Sequence, residues 1–455
     1  MSLFPLFFDH LLLPTGWARH VRLTIDAGRV AGIEADATPG AGDERHGCGL
    51  PGLPNLHSHA FQRGMAGLAE RRGPGSDSFW TWREIMYRFV DRMTPDDLHA
   101  IAAMAYVEML EGGFTRVGEF HYVHHDRGGA RFADPVEMSA AIVAAAAAAA
   151  SGIGLTLLPV FYAHAGFGGQ PAQAGQARFL LGLDDYARLL AGADRVAAAL
   201  PDAVVGVAPH SLRAVTPDQL AALAPLAAGR PVHIHIAEQA KEVADCLGWS
   251  GQRPVEWLLD HADVDARWCL VHATHMTDAE TAALARSGAV AGLCPITEAN
   301  LGDGLFPAEA FVAAGGRYGV GSDSNVLIDA AEELRLLEYG QRLIGQGRNR
   351  MARGPERSTG ADLYAGALAG GAAALGAAGG IAVGQPADIV SLTLDHPALL
   401  HRAGDAILDS FLFAAGRSAI DCVWRHGEKQ VVGGRHRARD RVVRDYRARL
   451  GHLIG

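Results

Sequence analysis

Hydrophobic and polar positions alternate at the two ends of this chain and gather into short apolar runs through its middle. Between residues 20 and 37, Val21, Leu23 and Ile25 occupy alternate positions, Asp26-Ala27-Gly28 supplies a turn, and Val30 and Ile33 resume the pattern, which predicts a β-hairpin. The far end mirrors it: residues 387–392 form an apolar strand, and 420–424, a turn at His426-Gly427 and 430–432 read as a second hairpin. Strand-rich ends around a long middle predict one β domain built from residues 1–50 and 385–455. Its last stretch, 435–449, mixes arginine with aspartate and apolar residues and reads as a solvated terminal helix.

From 51 to 384 the chain repeats a rhythm of apolar run, polar loop and helix. The candidate strands are 52–59, 115–120, 154–161, 204–209, 232–237, 268–273, 289–294 and 317–322. Helix starts are explicit between them. Thr94-Pro95-Asp96-Asp97 offers a capping hydroxyl, a first-turn proline and carboxylates at the positive end, for a helix running to Gly112-Gly113. Thr216-Pro217-Asp218 opens another, and Thr277 to Glu280 has capping-box spacing. The alanine-rich run at 140–150 reads as a soluble helix closed by Ser151-Gly152. Strands alternating with helices predict parallel pairing, and eight such units predict a closed (β/α)8 TIM barrel, with a doubly wound open sheet as the alternative.

A chain of 455 residues has room for such a barrel plus a smaller domain. Hydrophobic residues at 49% and charged residues at 20% are an ordinary globular balance, which excludes disorder as the default. A net charge of -10 leaves no basic footprint for nucleic acid. The five cysteines are scattered and never paired as Cys-x-x-Cys, which fits free thiols in a reducing cytoplasm. No basic n-region precedes the apolar patches of residues 1–13, and no apolar segment has membrane-spanning length with suitable flanks.

Barrel chemistry belongs at the C-terminal ends of the strands, and those ends carry histidine and carboxylate. Leu53-Pro54-Asn55-Leu56-His57-Ser58-His59 ends the first strand with two imidazoles that, by alternation, share one face. The fifth reads Val232-His233-Ile234-His235-Ile236-Ala237-Glu238, the sixth ends at His272 with His275 beyond it, and the eighth ends at Asp323. Each has a plainer reading alone: a core histidine at His233, a helix cap at Asp323, a solvated loop at His275 and Glu238. Together they predict a metal-assisted hydrolase.

This ordered spread resembles the amidohydrolase superfamily over nearly the whole chain, with the β-sandwich typical of that family formed by both ends. The resemblance implies metal ligands His57, His59, His235 and Asp323, catalytic Glu238, His272 and Asp323, and a structural His233. The superfamily's usual bridge between two metals is a carbamylated lysine or a glutamate on the middle strands. Here Lys241 and Lys429 lie elsewhere and residues 204–210 hold no carboxylate, which leaves one divalent ion. Imidazole and carboxylate donors with an open position favour zinc, while iron and manganese suit the same donors.

Four segments narrow the likeness: Gly52 to Gly64, Phe79-Trp80-Thr81-Trp82-Arg83-Glu84, Gly118-Glu119-Phe120-His121-Tyr122 and Cys294 to Gly304. They are similar to the iminohydrolases that release ammonia from an acyclic amidine borne by a dicarboxylic amino acid. Arg83 and Arg213 are then expected to fork onto the two carboxylates, with Gln62, Tyr122 and His210 as neutral partners. Trp80 and Trp82 are expected to pack the loop. A deaminase of purine, pyrimidine or triazine rings is the alternative, and a non-catalytic barrel that binds a partner is the third reading. The family expectation adds a cytoplasmic homodimer, and the loop from 64 to 94 is long enough to act as a lid.

Overall fold

The computed structural model describes residues 4–72 and 79–454. The chain enters through β1 (Phe4–Leu13), β2 (Gly16–Asp26), β3 (Arg29–Glu34) and β4 (Glu44–Pro51). The β2–β3 hairpin turns at Ala27 and Gly28, both with positive φ as a tight two-residue turn requires. Gly28 is fixed twice over, because a Cβ there would lie 2.0 Å from Nδ1 of His426.

The barrel follows with β5 (Leu53–Ser58), β6 (Phe114–His121), β7 (Gly154–Phe161), β8 (Val204–Val205), β9 (Ala208–Pro209), β10 (Val232–Ile236), β11 (Trp268–His272), β12 (Val290–Leu293) and β13 (Arg317–Val320). Each of the eight expected strands is present, the fourth being split into β8 and β9. Pairing is parallel within two runs, β5-β6-β7-β8 and β10-β11-β12-β13, and backbone bonds close both seams. On one seam His233 N donates to Val207 O at 3.0 Å and His235 N to His210 O at 3.0 Å. On the other His59 N donates to Asp323 O at 2.9 Å and Asp323 N to His57 O at 3.0 Å. Closure decides against the open sheet.

The chain then returns through β14 (Ile389–Leu392), β15 (Ile420–Arg425), β16 (Glu428–Val432) and β17 (Arg435–His436). Both ends join in one eight-stranded sheet, ordered β17-β16-β15-β14-β4-β1-β2-β3. It takes sandwich form by folding over itself: Leu6, Phe8, Leu23 and Ile25 pack against Ile389, Cys422 and Trp424.

Three local expectations change. The alanine-rich helix, Glu137–Ala146, stops before Ser151, because the Ser151 hydroxyl donates to Ala145 O at 2.7 Å and turns the chain back. Residues 64–94 are not a plain loop: Phe79–Asp91 is a helix that buries Met86, Tyr87, Phe89 and Val90, while 73–78 lie outside the described residues. The terminal helix, Arg439–Ile454, begins after β17 and rests on the helix Pro95–Glu111, burying Val442 and Leu453. The helix starts at Thr94, Thr216 and Thr277 all form capping boxes. Among the described residues, no helix is long and apolar enough to cross a membrane.

Candidate active site

The ends of β5, β10 and β13 bring four donor atoms together. His57 Nε2 lies 3.2 Å from His59 Nε2 and 3.0 Å from His235 Nε2, and Asp323 Oδ1 lies 3.2 Å from His59 Nε2 and 3.5 Å from His57 Nε2. The outer nitrogens fix two of the tautomers. His59 Nδ1 donates to Phe120 O at 2.9 Å and His235 Nδ1 to His210 O at 3.0 Å, which turns both Nε2 lone pairs inward.

Inward lone pairs beside a carboxylate repel one another unless a cation lies among them, so this donor set fits a divalent metal. Electrostatics agrees. Burial pushes His57 down to about 3 and lowers His59 and His235 as well, which keeps the imidazoles neutral. Burial would raise Asp323, but its contacts with His57, His59 and His272 hold it well below the usual carboxylate range.

Backbone strain concentrates here. His272, Ala273, Ala237, Asp323 and Asn325 all have positive φ, a conformation that costs a non-glycine residue about 1–2 kcal/mol. Around Asp323 a buried amide network holds it in place. Asn55 Nδ2 donates to Ser322 Oγ at 2.6 Å, Ser322 Oγ donates to Asn325 Oδ1 at 2.6 Å, and Asn325 Nδ2 reaches both His59 O and Asp323 O at 3.0 Å.

His272, from the end of β11, sits between carboxylates. Its Nε2 is 3.9 Å from Glu238 Oε1 and 3.9 Å from Asp323 Oδ2, and its Nδ1 is 3.2 Å from Glu298 Oε1. Burial lowers His272, but Glu238, Glu298 and Asp323 outweigh it and lift the imidazole to about 10. Burial raises Glu238 to about 7, against the pull of His272 and Arg213. His233 faces away from this group and donates from Nε2 to Ala374 O at 2.8 Å, deep in the barrel.

Above the cluster lies a cavity. Gln62, Arg83, Tyr122, His210 and Arg213 line it together with His59, His235, Glu238, His272 and Asp323. Gln62 Nε2 donates to Tyr122 Oη at 3.0 Å. Arg213 is buried with Nε 3.8 Å from Glu242 Oε1, and although burial lowers it, Glu242 and Glu238 keep it firmly charged. Arg83 lies on the helix Phe79–Asp91 with its guanidinium 5.5 Å from the Tyr87 ring. Trp82, expected to pack a loop, instead lines the cavity because the helix turns it inward. The side chain of Trp80 lies outside the described residues.

Several participants carried no assigned role in the sequence. Glu298 sits in the segment Cys294 to Gly304, but its pairing with His272 depends on the register of β11 and β12. Glu119 on β6 accepts the Ala60 N–H at 2.7 Å and so fixes the turn after His59. Tyr162 and Phe179 supply aromatic wall, brought in from loops that no local pattern singles out.

Residues 49–429 match the profile of the amidohydrolase family, and residues 7–47 match that of the formimidoylglutamate deiminase HutF N-terminal domain. The chain is 55% identical to the formimidoylglutamate deiminase of Pseudomonas aeruginosa over 99% of each. The chain belongs to the amidohydrolase family, in its formimidoylglutamate deiminase branch. A solved amidohydrolase from Brucella melitensis matches at a TM-score of 0.96 and 55% identity, covering 99% of this chain and 100% of that one. A zinc-bound adenosine deaminase from Xanthomonas campestris, 22% identical with a TM-score of 0.82 over 99% and 98% of the two chains, shares the amidohydrolase fold. As an amidohydrolase the chain is a hydrolase of C–N bonds, and the cluster His57, His59, His235 and Asp323 fits the metal that members of the family bind.

Proposed function

We propose that this chain hydrolyses N-formimino-L-glutamate to N-formyl-L-glutamate and ammonia, the deimination step of histidine degradation, with one zinc ion held by His57, His59, His235 and Asp323. The observation that carries the reading is convergence. One cavity reaches three of the four clustered donors, His59, His235 and Asp323, a carboxyl lifted by burial to about 7 and two arginines.

His57, His59, His235 and Asp323 would hold a divalent ion whose chemistry would be to make water acidic enough to supply hydroxide near neutral pH. Asp323 lies where the proton of that water can be taken up, and the charged His272, its Nε2 3.9 Å from Asp323 Oδ2, stabilises the negative charge that gathers on the attacking oxygen. Glu238, neutral in a good fraction of molecules near pH 7, delivers a proton to the formimino nitrogen. The water oxygen stays on the carbon, the proton taken up by Asp323 passes to the same nitrogen, the C–N bond breaks as ammonia leaves, and the hydroxyl proton returns to Glu238 as the formyl carbonyl forms. Arg83 and Arg213 receive the two carboxylates, while Gln62, Tyr122 and His210 donate or accept beside them. Zinc is preferred because mixed imidazole and carboxylate donors with an open position suit it.

Arg213→Met is expected to raise KM about 50-fold, the loss of a buried charge-assisted contact, with kcat within about threefold. A KM close to that of the parent would remove Arg213 from substrate binding.

One observation favours a ring deaminase instead: Trp82, Tyr87, Tyr122, Tyr162 and Phe179 give the cavity aromatic walls. A stacked ring has no need of two cations in its wall, and that weighs for the dicarboxylate. The test is purified, metal-analysed protein given N-formimino-L-glutamate and a panel of ring amidines, with ammonia and N-formyl-L-glutamate measured together. Equal release of both products supports the proposal, and ammonia from the rings alone overturns it. A cytoplasmic homodimer is proposed on family resemblance alone, and light scattering reads the oligomeric state.

A further inference from the structure

We infer that Glu298 is a positioning residue for this reaction: its carboxylate receives Nδ1–H of His272 and aims Nε2 of the same ring between Glu238 and Asp323. The inference rests on the deiminase reading and adds to it a residue that touches neither substrate nor metal cluster.

Glu298 is held from both sides. It lies on the short helix Pro295–Leu301 that follows β12, where Cys294 occupies the capping position without a side-chain cap. Glu298 accepts the N–H of Cys294 itself at 2.9 Å through Oε1, while its own N–H returns to Cys294 O at 2.8 Å. The carboxylate is therefore tied to the end of β12. With 5% of its surface exposed, it has little freedom to swing away.

The same oxygen lies 3.2 Å from His272 Nδ1 on the neighbouring strand β11. His272 needs an external hold. Its φ of +69, followed by +49 at Ala273, places it on strained backbone just where the strand ends. An imidazole that donates from Nδ1 to a carboxylate is fixed in rotation and tautomer, and its Nε2 becomes the working atom. That Nε2 is 3.9 Å from both Glu238 Oε1 and Asp323 Oδ2, so a modest ring rotation removes it from both.

Two other roles are open to Glu298. A helix cap explains the Cys294 bond but gives no reason for the same oxygen to meet His272. A second metal among His272, Cys294 and Glu298 is geometrically possible, but Glu298 Oε1 already accepts both the Cys294 N–H and the His272 Nδ1–H, and a ligand role would break both bonds.

The test compares metal-loaded parent, Glu298→Ala, Glu298→Gln and Glu298→Asp on N-formimino-L-glutamate, with metal content and melting temperature measured for each. Glu298→Ala is expected to lower kcat about 100-fold with KM within about threefold and one metal per chain. Glu298→Gln keeps an acceptor at the same reach and is expected to recover kcat to within about fivefold of the parent. Glu298→Asp keeps the charge but draws the oxygen back by a methylene, and is expected to lower kcat at least about tenfold. Should the alanine variant fail to fold, the other two decide. Parental kcat in Glu298→Asp, a Glu298→Gln no better than alanine, a matching rise in KM, or two metals per parental chain would overturn the inference. Failure of the deiminase reading looks different, because the parent itself then releases no ammonia from this substrate.

Discussion

Asp323→Asn is expected to lower kcat/KM on the order of 10⁴-fold, the upper end of what one acid/base group contributes, because this carboxylate has two tasks. Through Oδ1 it joins His57 and His59 in the donor cluster, and through Oδ2 it faces His272. Asparagine preserves the shape and the backbone bonds to His57 and His59. It removes the one negative charge among three neutral imidazoles, so metal content is expected to fall along with activity. Excess zinc should restore occupancy without restoring rate, since the proton acceptor is still missing. A variant that holds a full equivalent of metal and keeps a tenth of parental activity would sink both assigned roles.

The same residue shows why site and fold are inseparable here. The bonds that close the barrel between β13 and β5 run through the backbones of His57, His59 and Asp323. Closing the barrel therefore sets the separation of three of the four donors. The fourth, His235, is placed by the opposite seam, where its N–H and its Nδ1 both reach His210 O. Strain at Asp323 is held there by Asn55, Ser322 and Asn325, which bond to one another and to the Asp323 backbone.

Much of this could be read in the sequence, because the signals were local. His57 and His59 share a face by strand alternation, and each later ligand sits at the end of a short apolar run. The parts that were not legible lack a local period. β1 buries Leu6, Phe7 and Phe8 in succession, so its two covered faces erase the alternation that betrays a half-exposed strand. The helix Phe79–Asp91 follows a stretch rich in glycine and proline and reads as its continuation, although Met86, Tyr87, Phe89 and Val90 give it a buried stripe. Glu298 and His272 are 26 residues apart, and only the parallel register of neighbouring strands brings them to 3.2 Å.

Glu238→Gln is expected to lower kcat about 10³-fold while KM stays within about threefold, because the substitution keeps the shape and takes away the transferable proton. Geometry and electrostatics both place the proton there. Glu238 follows β10 by two residues, lines the cavity, and is lifted by burial to about 7, against His272 and Arg213. An acid works only while protonated. Activity that depends on it is therefore full below the folded-state pKa and is lost as pH rises through about 7. The parent enzyme should show an alkaline limb in kcat falling roughly tenfold per pH unit, and Glu238→Gln should lack that limb while remaining slow throughout. His272 bears on the outcome from the other side. Its positive charge favours the ionised form of Glu238, so removing His272 should move the limb to higher pH. A parental profile flat from about pH 6 to pH 9, or a glutamine variant within about tenfold of parental kcat, would assign the proton to another group. The charged imidazole of His272, its Nε2 3.9 Å from Glu238 Oε1, would then be left to supply it.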